Sequence, residues 1–117
     1  VQFIVDSGAA RSICSQSIYE SLNHKPTLLK SNLTLRGFNG QSSPSIGKAC
    51  IMMGFNDKLT EWNFDVVPQL IEEGLLGNDF LSAHEANIDY KNNILTLGKN
   101  LNIKLPVQIH QEEKLIY

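Results

Sequence analysis

Long apolar runs are missing from this sequence of 117 residues. No stretch approaches the ~20 apolar residues needed to cross a bilayer, and no basic segment runs into an apolar one as a secretory signal does. Dense basic clusters are missing too. Lys and Arg total 10 against 12 Asp and Glu, a formal charge of −2, which argues against nucleic acid or an anionic membrane as the main partner, because both call for clustered cations. Cysteine is scarce: Cys14 and Cys50 lack CxxC spacing and are too few for a disulfide framework. They read as two reduced, partly buried thiols in a cytosol-like compartment, with a single bridge as the alternative. His24, His84 and His110 share no ligand spacing with one another or with the cysteines, so neither a metal nor a cofactor is expected. No Gly-x-Ser-x-Gly elbow marks a serine hydrolase. Gly37 and Gly40 lack the lysine and helix of a phosphate-binding loop. Internal repeats and low-complexity tracts are absent.

What remains has an ordinary globular composition, 42% hydrophobic, enough for one modest core in a chain of single-domain length. So short a chain buries a smaller share of its surface than a large domain, which makes added stability from an oligomer interface unsurprising. Opening on Val1 rather than Met, it reads as a fragment, a trimmed chain or a piece released from a longer precursor.

The β-branched and aromatic run Val1-Gln2-Phe3-Ile4-Val5 reads as a buried strand that ends in the turn-forming cluster Asp6-Ser7-Gly8-Ala9. A strand can resume over residues 11–14, and Ser17 with Glu20 has capping-box spacing, which predicts a short helix over 18–22. Residues 33–36 alternate apolar and polar before Asn39-Gly40, a strong hairpin-turn signal. Further strands are expected over 46–55 and 62–67 around an Asn56-Asp57 turn. Asn78 or Asp79 is placed to cap a helix reaching about His84. A hairpin over 87–90 and 94–97 and a last strand over 101–105 complete the pattern, with a loose polar tail after Pro106. Such short strands favour a mainly β, closed or barrel-like domain with one or two short helices over a βαβ sheet. Trp62 and Phe64 read as core, and Asp65, Asp89, Glu72 and Glu73 as surface or loop charges.

Taken singly, Asp6-Ser7-Gly8 is a good turn sequence and Leu75-Leu76-Gly77 a strand end, and neither specifies chemistry. Order and distance change that. The turn is followed about thirty residues on by a glycine-bearing hairpin, and about forty after that by Leu75-Leu76-Gly77. In Phe3-Ile4-Val5-Asp6-Ser7-Gly8-Ala9, Arg36-Gly37-Phe38-Asn39-Gly40-Gln41 and Leu75-Leu76-Gly77-Asn78-Asp79-Phe80-Leu81 the chain resembles the retropepsin family of aspartic peptidases. Asn87-Ile88-Asp89-Tyr90 and Ile94-Leu95-Thr96-Leu97-Gly98 look like the strands that follow that family's helix. Within the family, the hairpin and Gly77-Asn78-Asp79-Phe80-Leu81 are most similar to peptidases of Ty3/gypsy-type long-terminal-repeat retrotransposons. The retroviral-like domain of ubiquitin-linked DNA-damage-inducible proteins, which also carries Asp-Ser-Gly-Ala, is the second choice.

The resemblance implies a retropepsin-like half-barrel over residues 1–98, active as a two-fold homodimer, with residues 99–117 as a C-terminal strand and tail serving as interface or linker. It implies an aspartic endopeptidase, a hydrolase without cofactor, whose catalytic group is Asp6 paired with Asp6 of a second copy. Ser7, Gly8 and Gly77 support the active-site turn in this reading. Gly8 and Ala9 offer backbone to an extended peptide, and Phe38, Asn39, Gly40 and Gln41 form a flap over it. The expected substrate is a retroelement polyprotein, and the expected setting is cytoplasmic, including retroelement particles. A domesticated dimerisation or peptide-binding module is the alternative function. The sequence departs from many relatives at Ala10 and Asn78, where those relatives place an acid and an arginine that pair near the interface. The strand that usually precedes the one leading to the aspartate is absent from the sequence, and residues 101–107 are the candidates for rebuilding a terminal interface sheet. Asp79 as a second carboxylate of a monomeric enzyme is disfavoured, since a helix-start acid already has a structural role.

Overall fold

The computed structural model describes residues 3–36, 42–68, 70, 73–99 and 101–109. Its main sheet has six strands. In sequence these are β1 (Phe3–Val5), β2 (Ile13–Ser15), β5 (Gly47–Phe55), β6 (Lys58–Val67), β7 (Gly74–Leu76) and β11 (Gln108–Ile109), in the spatial order β11-β1-β7-β2-β6-β5. β8 (Asn87–Asp89), β9 (Ile94–Leu97) and β10 (Ile103–Pro106) form a three-stranded sheet in the order β10-β9-β8, and β3 (Thr34–Arg36) pairs with β4 (Ser42–Pro44). The mainly β, half-barrel expectation holds, with two short helices, α1 (Gln16–Ser21) and α2 (Asn78–Ala83).

One crossing organises the functional end. β7 lies between β1 and β2, parallel to β1 and antiparallel to β2. The segment joining β1 to β2 must therefore pass over the end of β7, where α2 begins. The core beneath it gathers Val5, Cys14, Phe64, Val66, Leu76, Phe80, Leu95 and Leu97 from both larger sheets and α2. Phe3 meets Phe64 edge-on at 5.4 Å, and Trp62 meets Phe80 edge-on at 5.5 Å.

The long hairpin β5–β6 pairs without a break from Gly47↔Val66 to Phe55↔Lys58. It closes at Asn56, whose φ of 57° a short polar side chain tolerates. β6 begins at Lys58, earlier than the alternation at 62–67 indicates. Its last four residues are all buried, because β6 there runs between β2 and β5 and has no solvent face. Asp65 lies in that stretch at 2% exposure. The expectation of a surface charge is overturned by strand placement.

Caps also differ from expectation. α1 is capped by Ser15, not Ser17: Ser15 ends β2 with extended backbone, and its Oγ accepts from the Ile18 N–H at 3.2 Å. α2 is preceded by Gly77, which has no side chain to cap with, so Asn78 and Asp79 are its first two residues. The tail expected to be loose contains β11, parallel to β1 with Ile4↔Gln108 and Val5↔Ile109. β10 is committed to β9 within the chain, from Ile103↔Leu97 to Pro106↔Ile94. Cys14 is buried, Cys50 is exposed, and both are free thiols.

Candidate functional site

Asp6 follows β1 on a turn held by main-chain bonds. Its N–H donates to the Leu76 carbonyl at 3.0 Å, and its own carbonyl accepts from the Ala9 N–H at 3.2 Å. The first bond continues the β1–β7 ladder one residue past the strand. The second closes the turn. The side chain is fixed as well, since Oδ1 accepts from the Gly8 N–H at 3.0 Å, an arrangement in which an aspartate bonds the backbone two residues on. Asp6 is half-buried, while Ser7 and Gly8 are exposed. The turn thus presents a carboxylate at the surface, with one oxygen anchored to the backbone.

Ser7 Oγ lies 3.2 Å from the Tyr90 hydroxyl. Tyr90 follows β8, which among the described residues pairs with β9 alone and lies at the edge of its sheet. Sequence reading did not foresee this contact, which depends on where the β8–β9 hairpin docks. Ala9 is engaged on both sides, its N–H with Asp6 and its carbonyl with the Asn78 N–H at 2.7 Å. The N–H of Gly8 is likewise used by Asp6, and the groups to which Gly8 and Ala9 donate lie within the turn.

Gly77 sits directly behind the turn. A Cβ there would stand 2.5 Å from the Arg11 carbonyl oxygen and 2.9 Å from that of Ala9. The chain after Gly77 is tied to the turn through main chain: Asn78 N–H bonds the Ala9 carbonyl, and Asp79 N–H bonds the Ala10 carbonyl at 3.2 Å. Phe38, Asn39, Gly40 and Gln41 lie outside the described residues. The strands on either side of them, β3 and β4, pair from Thr34↔Pro44 to Arg36↔Ser42.

The other carboxylates differ in their surroundings. Asp65 accepts from Ser31 Oγ and sits 3.5 Å from Arg11 Nη1. Asp89 is exposed and accepts from the Lys91 and Asn92 amides and from Asn92 Nδ2; the Asn92 side chain, followed by its backbone N–H, holds the carboxyl below its usual range. Among the described residues no group of three or more His, Cys, Asp or Glu could hold a metal ion. An apolar cavity of about 670 Å³ opens between β1, β5 and α1, lined in part by Val5, Leu22, Phe55 and Leu105. A smaller one of about 300 Å³ lies beside Arg11, Lys48 and Trp62. Neither is lined by Asp6, Ser7 or Gly8. Among the described residues, the turn stands at the surface, with Ser7 and Gly8 exposed.

Residues 1–83 match a family model described as gag-polyprotein putative aspartyl protease. Among solved structures, the retroviral protease-like domain of Ddi1 from Leishmania major is similar in fold. It has 24% sequence identity and a TM-score of 0.66 over 87% of this chain and 77% of that one.

Proposed function

Because the chain belongs to the family of gag-polyprotein putative aspartyl proteases, we propose that it is an aspartic endopeptidase whose active site forms when two copies bring their Asp6 turns together. The observation that carries this reading is the Asp6 turn itself. It holds one carboxylate rigidly at the surface, anchored through Oδ1 to the Gly8 amide, and the sequence contains only one such Asp-Ser-Gly turn. Hydrolysis with an activated water needs a base and an acid at once. Two carboxylates about 3 Å apart cannot both ionise, so a facing pair shares one proton and supplies both roles.

The ionised carboxylate takes a proton from the water, whose oxygen bonds to the peptide carbonyl carbon. The protonated carboxyl gives its proton to the carbonyl oxygen. As the resulting diol collapses, a proton passes to the amide nitrogen, the C–N bond breaks, and the pair is left with one proton as it began. Both groups titrate as a unit, so the rate follows a bell with an acidic optimum.

The surroundings of the turn suit a second copy. Ser7 is exposed, its hydroxyl can exchange the Tyr90 contact for one across a two-fold axis, and the adjacent β8 edge has no second partner strand among the described residues. The carbonyl of Gly8 is the acceptor the turn offers to an extended substrate, in the manner of strand addition, and Phe38 to Gln41 close over that peptide as a flap. The substrate in this reading is a retroelement polyprotein, cleaved in the cytoplasm or within retroelement particles. Residues 1–98 form the protease domain, and residues 99–117 serve as interface or linker. No nucleic acid or membrane partner is assigned to it.

A domesticated binding module has no need of the carboxylate, so an intact Asp6-Ser7-Gly8 favours the enzyme. Asp6→Asn tests the choice. Loss of self-cleavage with dimerisation retained supports the peptidase, and unchanged cleavage refutes it.

A further inference from the structure

Behind the exposed turn runs a chain of polar contacts that the hydrolytic reading leaves unused. Ser12 is fully buried. Its Oγ accepts from the Gly77 N–H at 3.0 Å and donates to Asp79 Oδ1 at 2.7 Å. The same Oδ1 accepts from the Phe80 N–H at 2.8 Å, and Oδ2 accepts from Trp62 Nε1 at 3.1 Å. Each group that meets the carboxylate is a donor, so both of its oxygens must act as acceptors, a demand that the amide of an asparagine meets on one side only. These contacts tie together four elements: the segment before β2, the end of β7, the start of α2, and β6. The last is fastened through an indole that also packs edge-on to Phe80. A first-turn acid needs none of this to stabilise a helix. Its reach to Ser12 and Trp62 is the surplus that calls for an explanation.

We propose that Asp79 is a positioning residue for the catalytic turn, holding Ser12 and Trp62 so that Gly77 and residues 9–12 fix the placement of Asp6. The coupling runs through direct hydrogen bonds. Ser12 secures the Gly77 amide. The next two amides bond the Ala9 and Ala10 carbonyls, and Ala9 closes the Asp6 turn through the Asp6 carbonyl. Asp79 itself touches no substrate in this scheme. The inference rests on the reading of Asp6 as catalytic. A carboxylate displaced by about 1 Å from its partner and the water loses on the order of 10²-fold in rate. A loosened clamp therefore appears in kcat rather than KM.

The test compares Asp79→Asn, Ser12→Ala and their double variant in the full chain. Hydrolysis is measured on the best-cleaved member of a fluorescence-quenched peptide library. The titration of the Asp6 carboxyl carbon is followed by NMR, a readout available whether or not the chain turns over. Leu97→Ala, a core change outside the clamp, controls for general destabilisation. Expected is a fall in kcat of about 10- to 100-fold for each single variant, with KM within about threefold. The double variant should be no worse than the poorer single one. The Asp6 titration should shift in all three and stay in place for Leu97→Ala. Should Asp79→Asn fail to fold, Trp62→Phe, which removes one donor and keeps a ring, makes the same comparison. The proposal is overturned if the Asp6 titration and kcat stay at wild-type values, or if Leu97→Ala moves them equally. Asp6→Asn hydrolysing like wild type would instead sink the catalytic reading, and the Asp6 titration in the clamp variants would still decide the positioning role.

Discussion

Gly77→Ala isolates the packing behind the active-site turn. The backbone at Gly77 has φ −89° and ψ −177°, a conformation open to alanine, so its cost is steric and carries no backbone strain. The added Cβ would lie 2.5 Å from the Arg11 oxygen, 2.6 Å from the Arg11 carbonyl carbon and 2.9 Å from the Ala9 oxygen. All three are main-chain atoms and cannot swing aside as a side-chain tip can. Restoring ordinary contact requires a separation of roughly 1 Å between the two segments, enough to break the 2.7 Å bond from Asn78 to Ala9 and the 3.2 Å bond from Asp79 to Ala10. Two lost hydrogen bonds at about 1 kcal/mol each, with about 1–3 kcal/mol for overpacking, give about 3–5 kcal/mol. That is a large share of the 5–15 kcal/mol typical of a domain. Urea unfolding followed through the single tryptophan, Trp62, reads this as a fall in midpoint at unchanged slope, with variants compared at one chain concentration. Gly54→Ala is the control, since its Cβ would meet only the end of Leu59 at 3.6 Å. A cost below about 0.5 kcal/mol for Gly77→Ala, or equal costs for the two variants, refutes the reasoning.

Burial pushes the Cys14 thiol up to about 11 from 9.0, so the folded chain keeps a proton that the unfolded chain sheds first. The stability this contributes is complete below pH 9 and is lost as pH rises to about 11, in all about 2–3 kcal/mol. Urea midpoints at pH 8 and 10.5 should fall more steeply for wild type than for Cys14→Ala, and parallel falls would contradict the assignment. Ser7→Ala should weaken self-association about tenfold in sedimentation, while Tyr90→Phe leaves it within about threefold; equal effects would make the Ser7–Tyr90 contact, not a partner, the purpose of Ser7. Asp65→Ala strips Ser31 and Arg11 of their shared buried acceptor and should cost about 1–3 kcal/mol in the same urea assay. A cost under about 0.5 kcal/mol would mean that the carboxylate is dispensable.

The strands flanking the site were legible because local chemistry alone specifies them. Phe3-Ile4-Val5 is a β-branched and aromatic run that ends in a turn cluster, Asn56 tolerates the positive φ that closes the long hairpin, and the 87–97 hairpin falls where its turn residues put it. Asp6 was visible for the same reason, as a turn residue whose context is contiguous. The misread positions are those whose environment comes from elsewhere in the chain. Asp65 carries an ordinary surface residue's identity and becomes buried only because β2 and β5 flank β6. Ser15 takes the cap from Ser17 because β2 ends there with its Oγ in reach of Ile18. β11 pairs with β1 through a contact between opposite ends of the sequence, which no local pattern encodes. The clamp through Ser12, Trp62 and Asp79 draws one residue from each of three distant segments, so no motif announces it.

Mixing active chains with inactive ones asks most directly whether two Asp6 carboxylates share one site. Wild-type and Asp6→Asn chains are combined in equal amounts, left to exchange, and assayed at constant total chain concentration. If each site needs an intact aspartate from both copies, only wild-type pairs cleave and activity falls to about a quarter of that of pure wild type. A fall to about half, with each intact chain working alone, would contradict the shared carboxylate pair.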